Sequence, residues 1–226
     1  MKNIMFLILL MLSGKVFGLQ CPDDEAGLVI LTPMIVDSPV IKPVVDDLID
    51  AAASAADRAG LTILVIPGEA ATILAYRAFA QCPNIKAFFN IAHGDVSYME
   101  AADGKLTAKE IGDMFKFNHK TFFYNFSCHG FENPIKDAFI SKAKASRYVG
   151  PMGSCTVGEH IDTYVTLCFW DSAFTSTDFT SLIGDCEAEY QDKFPGQKTR
   201  FKVGGNGRPF IMSPLMAETI LDRSEL

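Results

Sequence analysis

Basic side chains are scarce in this sequence and nowhere clustered: 20 Lys and Arg stand against 27 Asp and Glu, a formal net charge of −7 over 226 residues. Nucleic-acid binding relies on grouped cations that neutralise phosphates, so no nucleic-acid partner is expected. Long apolar runs are also missing. Beyond the first residues, no segment approaches the ~20 apolar positions of a membrane helix, so the mature chain carries no expected span. There is no Gly-x-Ser-x-Gly elbow of a serine hydrolase. The cluster Gly204-Gly205-Asn206-Gly207 lacks the following helix and the Lys-Ser/Thr ending of a phosphate loop, and reads as a turn. Cys155, His160 and Asp162 lack the paired spacings of a zinc site. Neither metal nor organic cofactor is therefore expected.

What is present begins with an apolar leader. Lys2, the run Ile4 to Leu12 and the Val16-Phe17-Gly18 site have the charge, length and small-residue ending of a secretory signal peptide, residues 1–18, cleaved near Gly18. Losing Lys2 and Lys15 takes the formal charge from −7 to −9. A secreted or periplasmic location follows. All six cysteines, Cys21, Cys82, Cys128, Cys155, Cys168 and Cys186, lie in the mature part, where an oxidising compartment favours pairing.

From about residue 28 to 175, short runs that are apolar on both faces alternate with helical patterns. The apolar runs are 28–36, 61–66, 85–92, 121–127 and 147–152. Between them, Val44 to Ala59 repeats at helical spacing and ends on Gly60; Glu69 to Ala80 forms a second helix; Thr107-Ala108-Lys109-Glu110 opens a third with a capping box. Asn133-Pro134 starts a fourth, with Ile135, Ala138, Phe139 and Ala143 as its apolar stripe. Helices over 160–174 and 178–194 and edge strands over 199–203 and 209–212 complete the chain. The fold class expected is α/β, a three-layer αβα sandwich on a mostly parallel, doubly wound sheet, and residues 19–226 are expected to form one domain. The glycosylation sequon Asn125-Phe126-Ser127 falls inside a predicted buried strand.

Reactive groups in such sheets collect beyond the carboxyl ends of the strands. Two runs end on chemistry: AFFNIAHGD delivers His93 and Gly94, and FFYNFSCHG delivers Cys128. If those strands are neighbours, a thiol and an imidazole share one rim, as a cysteine nucleophile and its base must. The backbone N–H groups of Gly94 and Cys128 are candidates for an oxyanion hole. Asp95 and His129 are supporting candidates, Asp95 also reading as a polar turn residue and His129 as a rim residue; His119 and His160 read as surface residues. Cys155 also follows a predicted strand, so a Cys128–Cys155 disulfide stands as the alternative use of the thiol.

Apolar strand, His-Gly, then a second apolar strand ending in a small residue and Cys, resembles the caspase and hemoglobinase clan of cysteine peptidases. SCHG is similar to the caspase pattern Ala-Cys-X-Gly, with Cys128 on the nucleophile, Gly130 on the glycine and His93 on the base. The gap of 35 residues (128 − 93) is shorter than the ~50 of caspases and is closer to compact CHAT-like members. ADGKLTAKEI after the His and YVGPMGSCTVGEHIDTYVTLCFWDSAF after the Cys also resemble CHAT domains, so the likeness covers roughly residues 28–175. It implies a caspase-like fold and a cysteine endopeptidase acting on protein or peptide substrates through a His93–Cys128 dyad. The alternative is a non-catalytic binding or effector domain on the same fold, with Cys128 held in a disulfide.

Overall fold

A computed structural model describes residues 21, 26–33, 38–116 and 122–205. The leader 1–18, His119, Asn206, Gly207 and the expected strand 209–212 lie outside the described residues.

β1 (Gly27–Thr32, GLVILT) is buried along its whole length, as its two apolar faces require. The sequence pattern ran to Val36; the strand stops at Thr32, and 34–37 lie outside the described residues. α1 (Ile41–Arg58) buries Val45, Leu48, Ala52, Ala55 and Ala56, one helical face. It closes as expected at Gly60: the Gly60 N–H donates to Asp57 O and the Leu61 N–H to Ala56 O, both at 2.9 Å, a Schellman motif.

β2 (Thr62–Pro67) and a 3-10 turn over Gly68–Ala70 lead to α2 (Ile73–Gln81). This helix starts later than the pattern suggested. Thr72 is its true cap, its Oγ1 accepting the Ala75 N–H at 3.2 Å, whereas Glu69 lies in the preceding turn. β3 (Ile85–Ile91) follows.

Residues 94–107, to which the sequence pattern assigned no strand, form a small antiparallel sheet of β4 (Gly94–Asp95), β5 (Tyr98–Ala101) and β6 (Gly104–Thr107). Alternation explains it: Met99, Ala101 and Leu106 are buried, while their neighbours face outward. α3 (Ala108–Phe115) opens with the expected capping box, Thr107 and Glu110 each satisfying the other's backbone N–H.

After β7 (Phe122–Phe126), the fourth helix begins at Ile135. Asn133 does not cap it: Pro134 occupies the cap position and no side-chain bond closes the turn. α4 (Ile135–Asp137) continues directly as a π-helix over Ala138–Lys142. The predicted stripe of Ile135, Ala138, Phe139 and Ala143 is nonetheless buried. β8 (Arg147–Pro151), α5 (Ile161–Ser172), α6 (Phe179–Glu189) and β9 (Phe201–Gly204) complete the described chain.

The main sheet runs β2-β1-β3-β7-β8-β9, parallel except for the antiparallel edge strand β9. One face is covered by α1, α5 and α6 through Leu48, Val165, Trp170 and Ile183 against Phe89, Phe122 and Tyr124. The other is covered by α2, α3, α4 and the π-turn through Phe79, Phe115 and Phe139 against Phe88 and Phe123. This is the three-layer αβα architecture expected from the sequence. Two disulfides clamp it: Cys21–Cys82 at the end of α2 and Cys168–Cys186 between α5 and α6, with Cα separations of 5.2 and 5.7 Å.

Candidate active site

β3 and β7 are parallel neighbours with a fixed offset of 35 residues, Ala87 opposite Phe122 through Ile91 opposite Phe126. The Ala92 N–H extends the ladder by donating to Phe126 O at 3.2 Å. His93 and Cys128 have the same offset (128 − 93), so they stand at matching positions, two residues past the last pair. Sheet geometry thus brings them to one rim. The strand order reverses between β1 and β3, where ligands usually bind; the rim that carries His93 and Cys128 lies one strand further along.

The rim is held from beneath by a buried polar chain. The Tyr76 hydroxyl donates to Asn90 Oδ1; Asn90 Nδ2 donates to Asn125 Oδ1 (2.8 Å); Asn125 Nδ2 donates to the Tyr148 hydroxyl (3.1 Å), which donates to Gly130 O (2.5 Å). Ser127 Oγ joins at Asn125 Oδ1 (2.9 Å). Asn90, Asn125 and Tyr148 each both donate and accept, so the links strengthen one another in the low-dielectric core. The chain locks the turn that follows Cys128 to both strands. It also buries the sequon asparagine, since Asn125 is 1% exposed.

Two glycines are required by close approach. A Cβ on Gly94 would lie 2.9 Å from Ser127 Cβ and Oγ, and one on Gly130 would lie 2.8 Å from Asn125 Nδ2. Both glycines of the two sequence motifs therefore let the two strand ends pack together. His129, between Cys128 and Gly130, takes a left-handed backbone with φ 58, rare for a side-chain-bearing residue. Its N–H donates to Gly153 O (2.7 Å), and its Nδ1 pairs with Glu132 Oε1 (2.8 Å), which also accepts the Gly153 N–H (2.7 Å). The Gly153 bond, then His129, hold the Glu132 carboxyl below its usual range. His129 is thus occupied as a rim residue.

Cys128 is free and partly exposed. Its sulfur is surrounded by Cys155: the Cys155 thiol lies 3.7 Å away, the Cys155 N–H donates to it at 3.3 Å, and Cys155 O stands at 3.5 Å. The expected alternative, a Cys128–Cys155 bridge, is not formed; both thiols are free, and the other four cysteines pair among themselves. The Cys155 S–H first, then its N–H and the nearby His129 and His93, lower Cys128 to about 6 against the opposing effect of burial. Cys155 is pushed upward by the same contact and by its deeper burial. Of the coupled pair, Cys128 ionises first.

His93 is exposed and acts on that sulfur through space; no hydrogen bond between them occurs among the described residues. Asp95 does not orient His93: its Oδ1 accepts the Val96 N–H at 2.6 Å, as a turn residue does. His160, expected at the surface, is mostly buried and caps α5, its Nδ1 accepting the Asp162 N–H at 3.2 Å. The same nitrogen lies 3.3 Å from Asp162 Oδ2, a buried oxygen with no hydrogen-bond partner among the described residues. Asp162 Oδ1 instead accepts from Thr199 Oγ1 (3.2 Å) and Arg200 N (2.9 Å), tying α5 to the approach of β9. Among the described residues, no group of three or more His, Cys, Asp or Glu is placed to hold a metal.

No family model and no curated protein matches the sequence. Solved structures do match in shape. A secreted C11 cysteine protease from Bacteroides thetaiotaomicron, solved with an irreversible peptide inhibitor, superposes with a TM-score of 0.57 at 10% identity over 80% of this chain and 66% of that one. Caspase-1 from Spodoptera frugiperda gives 0.51 at 11% identity, over 80% of this chain and 86% of that one. The chain has a caspase-like fold. A further structure described only as a protease gives 0.59 at 15% identity over 82% of this chain and 48% of its own, so the chain spans about half of that protein.

Around this rim, five residues escaped the sequence reading. Asn90 and Asn125 were signalled: each lies three residues before the chemistry-bearing residue of its strand, in AFFNIAH and FFYNFSC. Tyr76, Tyr148 and Glu132 had no such mark, because their contacts come from other strands and turns.

Proposed function

We propose that the protein is a secreted cysteine endopeptidase that cleaves peptide bonds with Cys128 as nucleophile and His93 as general base and acid. The observation that supports this reading most is the shared register of β3 and β7, which carries residues 93 and 128 to matching positions past the strand ends, together with the lowered pKa of Cys128. The caspase-like fold, shared with a protease that accepts a peptide inhibitor, supports a peptide substrate. The two disulfides and the leader-like first 18 residues support an extracellular site of action.

In this mechanism Cys128 passes its proton to His93, and the resulting thiolate attacks the scissile carbonyl carbon. Negative charge passes to the carbonyl oxygen, where the Gly94 and Cys128 N–H groups stabilise it. The His93 imidazolium gives its proton to the leaving amine, and the C–N bond breaks to leave a thioester on Cys128. Water then attacks that thioester while His93 takes its proton, the C–S bond breaks to release the acid product, and His93 returns the proton to the Cys128 sulfur. Hydrogen bonds of this kind tighten in the substrate complex, which accommodates the open His93 position.

The test is turnover of a peptide library by the wild-type chain, Cys128→Ala and His93→Ala, with the fold checked by circular dichroism. Turnover should vanish in Cys128→Ala and fall about 10²–10⁴-fold in His93→Ala. Undiminished turnover in folded Cys128→Ala would overturn the assignment.

A further inference from the structure

Six cysteines leave two disulfides and two thiols, and the two thiols lie against each other. We propose that Cys128 and Cys155 form a reversible dithiol–disulfide couple, through which a small-molecule disulfide closes the site and a thiol reductant reopens it. The consequence for activity rests on the peptidase reading; the disulfide chemistry does not.

Closing the pair asks little of the structure. The sulfurs are 3.7 Å apart and would have to approach by about 1.7 Å to reach a bonded separation. Cys155 lies in the irregular stretch between β8 and α5, so it can shift without breaking a sheet ladder. That stretch is anchored at Gly153, through Glu132 and His129, and at Thr156 O, which accepts from Thr163 Oγ1 at 3.3 Å. Between the anchors, the N–H and carbonyl of Cys155 both face the Cys128 sulfur.

The thiols are also unequal in the way the exchange needs. Cys128 is partly exposed and the more acidic, which suits it to meet the oxidant. Cys155 keeps its proton and sits in contact, as a resolving thiol must. In the first step the Cys128 thiolate attacks one sulfur of the small disulfide, whose S–S bond breaks and releases one thiolate. Cys155 then loses its proton to solvent and attacks the Cys128 sulfur, expelling the second thiolate. The small disulfide is reduced to two thiols, and the protein pair is oxidised.

The experiment is a non-reducing peptide map of the full chain after exposure to oxidised glutathione. Wild type should lose both alkylatable thiols and yield a Cys128–Cys155 cross-linked peptide, which reduced glutathione reverses while Cys21–Cys82 and Cys168–Cys186 stay intact. Cys155→Ser should instead keep glutathione on Cys128. A wild-type map with glutathione retained on Cys128 and no cross-link, or with Cys128 unreacted, overturns the couple, and that map decides even if the variant does not fold. Because the readout is covalent mass, a chain that cross-links but cleaves no peptide retains the couple and loses the peptidase reading.

Discussion

The sulfur of Cys128 owes its acidity to a neighbour far along the chain. The Cys155 S–H is the largest contribution lowering it to about 6, so the thiolate is the main form at neutral pH. Alkylation of Cys128, followed by peptide mass, should be nearly constant above that value and fall as pH drops through it. In Cys155→Ala the midpoint should move up toward the ordinary ~8.5, because only the backbone donor and the two histidines remain. A midpoint unchanged in Cys155→Ala would assign the shift to the residue-155 N–H, His129 and His93 instead of the Cys155 thiol. None of this was legible in the sequence beyond the presence of two cysteines after two strands. Proximity suggested a bridge; the geometry instead gives a hydrogen-bonded pair, a distinction of about 1.7 Å that spacing does not encode. His93 and Cys128 were legible because each follows an apolar strand directly, whereas Glu132 contacts its partners through a left-handed turn at His129 that no propensity marks.

At the level of elements, reading succeeded where a local signal and tertiary packing agreed. Gly60, the Thr107 capping box and the apolar strands all fell where chemistry places them. It failed where distant contacts decided: Asn133 had the right side chain to cap a helix, but the chain there turns through Pro134 before α4 begins. The β4–β6 sheet was overlooked because its strands are two to four residues long, too short for alternation to stand out. The Thr107 cap has a measurable weight, because α3 is only 8 residues long and has few other local supports. Thr107→Ala should lower stability by about 1 kcal/mol in urea unfolding, since the Glu110 N–H loses its acceptor. A loss near zero would mean that water replaces the cap at no cost.

The whole molecule is held by an aromatic core on one face and a disulfide close to it. Trp170 packs on Phe89, Phe122 and Tyr124 with ring centroids 4.9 to 5.7 Å apart, and Cys168 in the same helix bonds to Cys186 of α6. That bridge spans 18 residues and restricts the unfolded chain. Replacing both cysteines with Ser should cost on the order of 3 kcal/mol, the figure expected for a loop of about this length, and lower the thermal midpoint. The midpoint should fall in scanning calorimetry while Cys128 labelling stays unchanged; an altered labelling rate would mean that α5 transmits the break to the rim.

The shared offset of β3 and β7 has one more consequence. The meeting of His93 and Cys128 is a property of the ladder, and the number of residues between the strands does not enter it. The connection between those strands can gain or lose whole segments at a closure cost that grows only slowly with length. Chains with very different His-to-Cys gaps can therefore carry the same rim, which makes the gap a poor ruler of kinship and leaves that connection open to grafted modules.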